Sequence, residues 1–295
     1  MNNTNKSKLA IISAMTIFGT IGIFRKFIPL PSSFIAMARG YMGALFLIAV
    51  VLLKKEKINW ESIKKNLLKL IISGGLIGFN WILLFESYQY TTVATATLCY
   101  YMAPIFVILV SPFFFKEKLT AKKAICVAVA LFGMVLVSGI LDAGFSGMSE
   151  MKGIIFGLGA AVLYASVVVI NKHIKNISAY DKTILQLASA AIVVSPYVFL
   201  TEDVGAMTFE PLAVIMLAIL GIVHTGIAYF LYFGSMDDLP AQTVALFSYI
   251  DPVVAILLSA FVLREGFTIA GIIGAVLVLG STLISEMPDR KKISS

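Results

Sequence analysis

Residues 101–117 read YMAPIFVILVSPFFFKE, and residues 249–265 read YIDPVVAILLSAFVLRE. The second stretch follows the first at a constant distance of 148 residues. Each has a tyrosine three residues before a proline, and each ends an apolar run with a basic residue and a glutamate. This recurrence predicts that the chain consists of two copies of one unit, at residues 8–140 and 152–286.

The composition of the chain is that of a membrane protein. Of its 295 residues, 59% are hydrophobic and 13% are charged, and the mean hydropathy is +0.96. An ordinary soluble domain has roughly 25% charged residues. Because a hydrocarbon core of about 30 Å takes about 20 helical residues to cross, ten crossings would use roughly 200 residues. The remainder is too short for a soluble domain, which argues against an ATP-driven pump and a large extracellular receptor.

Apolar runs bounded by charges, glycine or proline predict ten transmembrane helices. The runs are 19 to 25 residues long and lack the period-2 alternation of barrel strands. Helices satisfy their own backbone hydrogen bonds in lipid, so we predict an all-α, multi-pass protein of the cell membrane. The predicted spans are residues 8–28, 34–53, 67–88, 92–115, 120–140, 152–172, 181–200, 210–234, 239–263 and 268–286.

The distribution of basic residues predicts the orientation of these spans. With the N-terminus in the cytoplasm, 18 Lys and Arg residues flank spans on the inside and 4 flank them on the outside. This bias predicts that both termini are cytoplasmic. Each unit then has five spans, an odd number, so the second unit enters the membrane inverted, with Lys116 inside and Arg264 outside. Inverted repeats are common in secondary transporters, which bind substrate near the midplane between the repeats.

The excess of 23 Lys and Arg over 16 Asp and Glu lies in short segments between apolar runs. We therefore expect the bilayer and its anionic headgroups, not nucleic acid, as the partner of these charges. Cys99 and Cys126 lie in predicted spans without a metal-ligand or CxxC spacing, so neither a disulfide nor a metal site is predicted. The sequence has no HExxH metal site, no GxSG nucleophile motif with a partner histidine and no DxxD cluster, so it predicts no catalytic residues and no cofactor.

Pro104 and Pro252 are predicted near the middle of the fourth and ninth spans. Each removes a backbone donor, which leaves the carbonyl four residues earlier able to bind a ligand or lets the helix bend. A structural kink is the alternative, since proline is fairly common in membrane helices. The equivalent placement in the two units favours a hinge.

Aromatic residues also correspond between the two units. Trp81 corresponds to Tyr229, and Tyr101 corresponds to Tyr249, and the two residues of each pair are 148 residues apart. Packing between helices is one interpretation of such residues. Because a tyrosine hydroxyl facing lipid at the midplane would stay unpaired at a cost of several kcal/mol, we predict that these rings surround a hydrated, substrate-binding cavity.

Polar residues within the spans are the other candidates, since each charge costs about 2.5–3.5 kcal/mol at the bilayer centre unless it is solvated or paired. Asp251 is predicted to hold an amino group or a proton, or else to bond a neighbouring helix. His224 is either a packing residue or a pH-sensitive ligand. Asn80 suits a zwitterionic or neutral solute. Arg39 and Glu86 form an ion pair, or Arg39 receives a substrate carboxylate while Glu86 gates its exit.

Glycines in the fifth and tenth predicted spans permit close approach of helices. Two interpretations stay open, packing inside one protomer and the face of a homodimer. The glycines are Gly133, Gly139, Gly271, Gly274 and Gly280.

The repeated stretches resemble the EamA-type domain of the drug/metabolite transporter superfamily. The likeness is carried by residues 102–119 and 250–266, each with a proline in an apolar helix that ends with a basic residue and a glutamate, and by Phe18-Gly19-Thr20. It covers nearly the whole chain in two tandem copies. It implies a ten-helix exporter or facilitator of small metabolites, often amino acids, that works by alternating access through a central cavity.

The leading hypothesis is a secondary transporter that exports amino acids or similar small polar metabolites. The alternative is proton-coupled efflux of cationic or aromatic drugs, with Asp251 or Glu86 as the proton site. The small multidrug exporters of the superfamily use an acid in the first helix, and residues 11–24 contain none. An intramembrane enzyme or a membrane scaffold is the alternative from another class.

Overall fold

The structure is a computed structural model that describes residues 3–25, 27–91, 96, 99–138, 148–262 and 269–287. The regular structure in these ranges is helical throughout. A π-helix, Leu220–Ile227, joins the α-helices Pro211–Ile219 and Ala228–Ser235 without a break. The α-helices are α1 (Asn3–Gly19), α2 (Ile21–Arg25), α3 (Ser32–Leu53), α4 (Trp60–Tyr90), α5 (Ala103–Phe115), α6 (Ala121–Ser138), α7 (Met148–Lys172), α8 (Ala179–Thr201), α9 (Pro211–Ile219), α10 (Ala228–Ser235), α11 (Ala241–Phe247), α12 (Ile250–Val262) and α13 (Ile269–Glu286).

Within the described residues, six helical segments are long and apolar enough to cross a membrane. The helices Ala103–Phe115 and Ile269–Ser285 are apolar but shorter. These segments confirm the prediction of a helical, multi-pass membrane protein, while the total of ten crossings and the side of the termini stay predictions. The six segments are Asn3–Arg25, Ser32–Leu53, Trp60–Ser87, Glu150–Lys172, Ala179–Thr201 and Pro211–Ser235.

The helix boundaries repeat along the chain in the same way as the sequence. The start and the end of α6 are each 148 residues before those of α13. These two helices pack on each other, and so do α3 and α8, which are likewise equivalent in the two units. In addition, α7 packs on α4 and α1 packs on α10. Most of the helix packing therefore joins one unit to the other, and the core lies between them.

Two of the predicted spans are interrupted at equivalent positions. Residues 101–102 form a turn before α5 begins at Ala103, and residues 248–249 form a turn before α12 begins at Ile250. Pro104 and Pro252 therefore lie in the first turn of a helix. The sequence had predicted them near the middle of a span. The first turn is the place where a proline costs least, because the backbone N–H that it lacks has no partner within the helix there.

The close contact between α6 and α13 depends on a glycine. A Cβ atom at Gly133 would lie 2.8 Å from the carbonyl oxygen of Gly274 and 2.8 Å from Cγ2 of Val278. Gly133 thus allows close packing inside one protomer, which is one of the two interpretations of the glycines. The other, a dimer face, stays a prediction.

We expect Gly133→Ala to lower the free energy of unfolding by about 1–3 kcal/mol, because the added methyl group overpacks this contact. Gly280→Ala is the matched control on α13, since a Cβ atom there would meet nothing within 4 Å. Alanine favours a helix over glycine by about 1 kcal/mol, so the control should be as stable as the parent or more stable. Thermal unfolding in detergent measures both, and equal losses would contradict the packing.

Candidate functional site

A cavity of about 170 Å³ lies where the two interrupted spans meet. Both interruptions contribute to its wall, with Tyr101 and Pro104 from one and Ser248 and Asp251 from the other. The first interruption belongs to the first unit and the second to the second unit, so the cavity lies between the units. The remaining lining residues are Met15, Phe18, Ile21, Arg39, Trp81, Leu84, Phe85, Tyr100, Ala103, Tyr164 and Tyr229.

Aromatic rings form much of the cavity wall. Trp81 and Tyr229, which correspond in the two units, pack edge to face with ring centroids 6.4 Å apart. Phe18 packs against Tyr229 at 5.1 Å, and Tyr100 packs against Tyr164 at 5.8 Å. The first two of these pairs are edge to face, an arrangement that stabilises the ring positions. The wall is therefore a preformed aromatic surface that suits the apolar part of a small solute.

Arg39 brings a positive charge to this wall. Its Nε donates a hydrogen bond to Oγ1 of Thr225 at 3.0 Å, and its guanidinium carbon lies 5.1 Å from the centroid of the Trp81 ring. The Tyr229 hydroxyl also lies beside this guanidinium group and the Trp81 indole. The hydrogen bond and the cation–π contact hold the guanidinium plane in place, and a guanidinium group matches a carboxylate by two parallel hydrogen bonds.

Asp251 brings a carboxyl group to the same cavity. It lies in the first turn of α12, where the helix dipole favours a negative charge, and its carboxyl group is hydrogen-bonded by the Tyr101 side chain. Asp251 forms no ion pair with Arg39, which is bonded to Thr225 instead. The cavity is therefore lined by a guanidinium group and a carboxyl group that are not in direct contact.

The end of α1 packs directly on the start of α12. A Cβ atom at Gly19 would lie only 2.6 Å from the carbonyl oxygen of Asp251, which leaves room for no side chain. The chain between α1 and α2 turns at the next residue, Thr20. Gly19 therefore sets the distance between the first span and the Asp251 side of the cavity.

His224 lies behind the cavity wall. Its Nε2 is 2.7 Å from Oγ1 of Thr20, its Nδ1 is 3.3 Å from the carbonyl oxygen of Ile219, and its ring packs on Phe24. It is buried and is not among the cavity-lining residues. His224 belongs to the π-helix that also supplies Thr225, the partner of Arg39, and π-helical turns are frequent at functional sites.

Three other predicted residues lie outside the cavity lining. Nδ2 of Asn80 donates to the carbonyl oxygen of Ala160 at 2.6 Å, which joins α4 to α7. The Tyr249 hydroxyl donates to the carbonyl oxygen of Tyr101 at 3.3 Å, which joins the two interrupted spans, and Pro252 is buried. These contacts support the cavity from behind.

Glu86 is also outside the cavity lining. Its carboxylate accepts a hydrogen bond from the Tyr197 hydroxyl of α8. Arg39 is bonded to Thr225 instead, so the structure does not bring Arg39 and Glu86 together as an ion pair.

Sequence reasoning missed several lining residues. Tyr164 and Tyr100 pack against each other in the cavity wall, yet neither has an aromatic partner at the repeat distance, so the correspondence of the units did not select them. Phe18 had a signal, since it belongs to the Phe18-Gly19-Thr20 motif. Its position next to Gly19, which packs on α12, brings its ring to the cavity.

The fold and the cavity together define a polytopic helical membrane protein with a chamber of small-solute size between two repeated units. A model of the EamA-like transporter family matches residues 5–139 and residues 151–287. The chain belongs to this family, which confirms the resemblance seen in the sequence. The family implies a transport role rather than an enzymatic one, and a location in the cell membrane.

Relatives of known sequence agree with this assignment. The chain is 34% identical to the uncharacterized transporter YxxF of Bacillus subtilis over 259 residues, 85% of this chain and 79% of that protein. It is 27% identical to the uncharacterized transporter YoaV of the same organism over 278 residues, 92% and 94% of the two chains. A crystal structure superposes with a TM-score of 0.83 at 18% identity, covering 95% of this chain and 97% of that one, which shows that the fold is shared.

Proposed function

We propose that this protein is a secondary transporter that exports amino acids or similarly sized polar metabolites by alternating access. In this proposal the two five-helix units are inverted with respect to each other, and both termini are cytoplasmic. The direction, export, follows the family resemblance. The charge bias and the odd number of predicted spans in each unit support the inverted arrangement.

The observation that carries the proposal is that Arg39 and Asp251 line the same aromatic cavity without contacting each other. An amino acid has a carboxylate for the guanidinium group and an ammonium group for the carboxylate, while its side chain meets Trp81 and Tyr229. Each such hydrogen bond to a charged group contributes about 1.5–3 kcal/mol. A zwitterion therefore satisfies both charges of the cavity at once.

The cavity size supports a small substrate. Its volume of about 170 Å³ is below the roughly 300–1,000 Å³ of sites for drug-sized ligands. This argues against the alternative, proton-coupled efflux of cationic or aromatic drugs. The position of Asp251 in an aromatic cavity is the one observation that favours that alternative, and Arg39 in the same cavity would repel a cationic drug.

The interrupted helices support alternating access. Discontinuous helices at the substrate site occur in many secondary transporters, because the broken backbone offers polar groups and a place to bend. Here both interruptions line the cavity, and the Tyr249 hydroxyl bonds one to the other. A movement of one unit against the other is therefore transmitted directly to the cavity.

Uptake into proteoliposomes tests the function. We expect saturable flux of radiolabelled amino acids and none of nucleosides or quaternary amines, because only the zwitterion satisfies both charges. Liposomes without protein give the background. Saturable flux of quaternary amines alone would favour the drug-efflux alternative, and the absence of saturable flux of any small solute would overturn the transport proposal.

A further inference from the structure

The short loop at residues 236–240, between α10 and α11, is held by a dense set of polar contacts. The carboxylate of Glu117 accepts hydrogen bonds from the backbone N–H groups of Ala241 at 2.7 Å and Gln242 at 3.1 Å. These are the first two residues of α11, whose N–H groups have no partner within the helix. Glu117 is the glutamate that ends the repeated stretch of the first unit, and it binds the start of the second-unit helix that follows this loop.

The backbone at Lys116 explains how Glu117 reaches α11. Lys116 has a φ of 56°, which is the left-handed conformation that commonly ends a helix. The chain therefore stops following α5 at this residue. It turns so that the next side chain faces the second unit.

Three helices bind the loop itself. Lys172 of α7 donates to the carbonyl oxygens of Met236 at 2.7 Å and Leu239 at 2.5 Å. Lys182 of α8, whose side chain is fully buried, is paired with Asp237 at 3.1 Å. In α1, the hydroxyl of Ser7 donates to Asp238 at 2.6 Å.

The loop lies at one end of the helices that line the cavity. The helices that line the cavity also carry the residues that bind the loop, at separations of 6 to 13 residues. At a rise of 1.5 Å per residue, the cavity and the loop are about 9–20 Å apart. Each pair consists of a residue that lines the cavity and a residue of the same segment at the loop end. The pairs are Met15 and Ser7, Pro104 and Glu117, Tyr164 and Lys172, Tyr229 and Met236, and Ser248 and Gln242.

A dry layer separates the cavity from this loop. The Tyr164 hydroxyl donates to the Tyr232 hydroxyl at 2.5 Å, and Tyr232 and Phe233 are completely buried. By contrast, Ile21 and Phe85, which line the cavity away from the loop, are half-buried. The packing is therefore tighter between the cavity and the loop, at Tyr232 and Phe233, than at Ile21 and Phe85.

We propose that the 236–240 loop is the gate that closes the cavity on the cytoplasmic side, and that Glu117 is its latch. The assignment to the cytoplasmic side follows from the predicted orientation, which places Lys172 and Lys182 in the cytoplasm. The gate proposal rests on the proposed transport function. Opening toward the cytoplasm breaks the two bonds of Glu117, both of which are charge-assisted. Glu117 thereby biases the protein toward the state that is closed to the cytoplasm.

A single cysteine in the cavity tests the gate without measuring transport. Ser248→Cys, in a chain that also carries Cys99→Ala and Cys126→Ala, is exposed to a membrane-impermeant maleimide from the cytoplasmic face of inside-out vesicles. We expect slow labelling of this parent and at least a five-fold faster rate when Glu117→Ala is added. Glu117→Gln keeps one acceptor oxygen and should give an intermediate rate.

Glu56→Gln is the matched control, because Glu56 is an exposed acid in the loop between α3 and α4. It should leave the labelling rate unchanged. An unchanged rate in both Glu117 variants, with thermal unfolding showing that they are folded, would overturn the latch. Labelling of Ser248→Cys from neither face, in parent and variants alike, would instead show that the cavity is not a pathway, which overturns the proposed function together with the gate.

Discussion

Asp251→Asn is expected to reduce the transport efficiency for amino acids by about 10–100-fold. The asparagine amide retains the size of the side chain but removes the charge that binds the substrate ammonium group, and a hydrogen bond to a charged group contributes about 1.5–3 kcal/mol. Initial rates of counterflow in proteoliposomes, measured over a range of substrate concentrations, give the ratio of maximal rate to half-saturation concentration. The loss should appear mainly in the half-saturation concentration.

Asp203→Asn is the matched control for this change. Asp203 is exposed and caps the helical turn Val204–Ala206, and asparagine caps as well as aspartate does. Its efficiency should equal that of the parent. Unchanged flux in Asp251→Asn would remove Asp251 from substrate binding. Loss of flux driven by a pH gradient, with counterflow intact, would instead assign Asp251 to proton coupling.

Arg39→Lys is expected to reduce the efficiency for amino acids by a similar factor, although the positive charge stays. Lysine offers no planar pair of donors for a carboxylate, and it cannot reproduce the bond from Nε to Thr225 together with the contact over the Trp81 ring. Arg39→Gln removes the charge as well and should cost more. Binding measured by thermal shift in the presence of amino acids follows the same order, since a ligand that binds the folded protein stabilises it.

The substrate provides the control for Arg39. The amine that corresponds to the amino acid without its carboxylate has nothing to offer the guanidinium group, so Arg39→Lys should leave its weak stabilising effect unchanged. Asp251→Asn should abolish that effect. If Arg39→Lys weakened the amine and the amino acid equally, Arg39 would act through the shape of the cavity and not through the carboxylate.

Much of the architecture could be predicted because it depends on local properties of the chain. The length and hydropathy of the apolar runs predicted membrane-spanning helices, and six of them are confirmed in the described residues. The residues at which the helices of Pro104 and Pro252 begin were less predictable. Proline is unfavourable in the middle of a helix, and it disfavours the helical conformation at the residue before the proline. The sequence does not say whether the chain bends or breaks there.

The members of the candidate site were harder to predict than the spans. Six of the residues selected from the sequence line one cavity. They are Arg39, Trp81, Tyr101, Pro104, Tyr229 and Asp251. Asn80 is next to Trp81 in sequence but points to Ala160, because neighbours on a helix face directions about 100° apart. Which of two adjacent residues faces the cavity depends on the rotation of the helix in its packing.

The gate shows the same limit more clearly. The sequence contains Glu117 as part of a repeated motif, and the positive-inside pattern accounts for Lys172 and Lys182 as ordinary cytoplasmic charges. Nothing in the linear pattern connects these residues with the 236–240 loop, from which Glu117 is more than a hundred residues away. The contact exists because the ends of α5 and α7 and the start of α8 lie at one side of the bundle.

The amino-acid sequence by itself determined the membrane class, the helical character and the repeated unit, because hydropathy, run length and recurrence are properties of the chain read in order. Only the tertiary structure decided which charges share the cavity and which are held elsewhere. Arg39 meets Thr225 and Glu86 meets Tyr197 across more than a hundred residues, through helix rotations and depths set by the packing of many side chains at once.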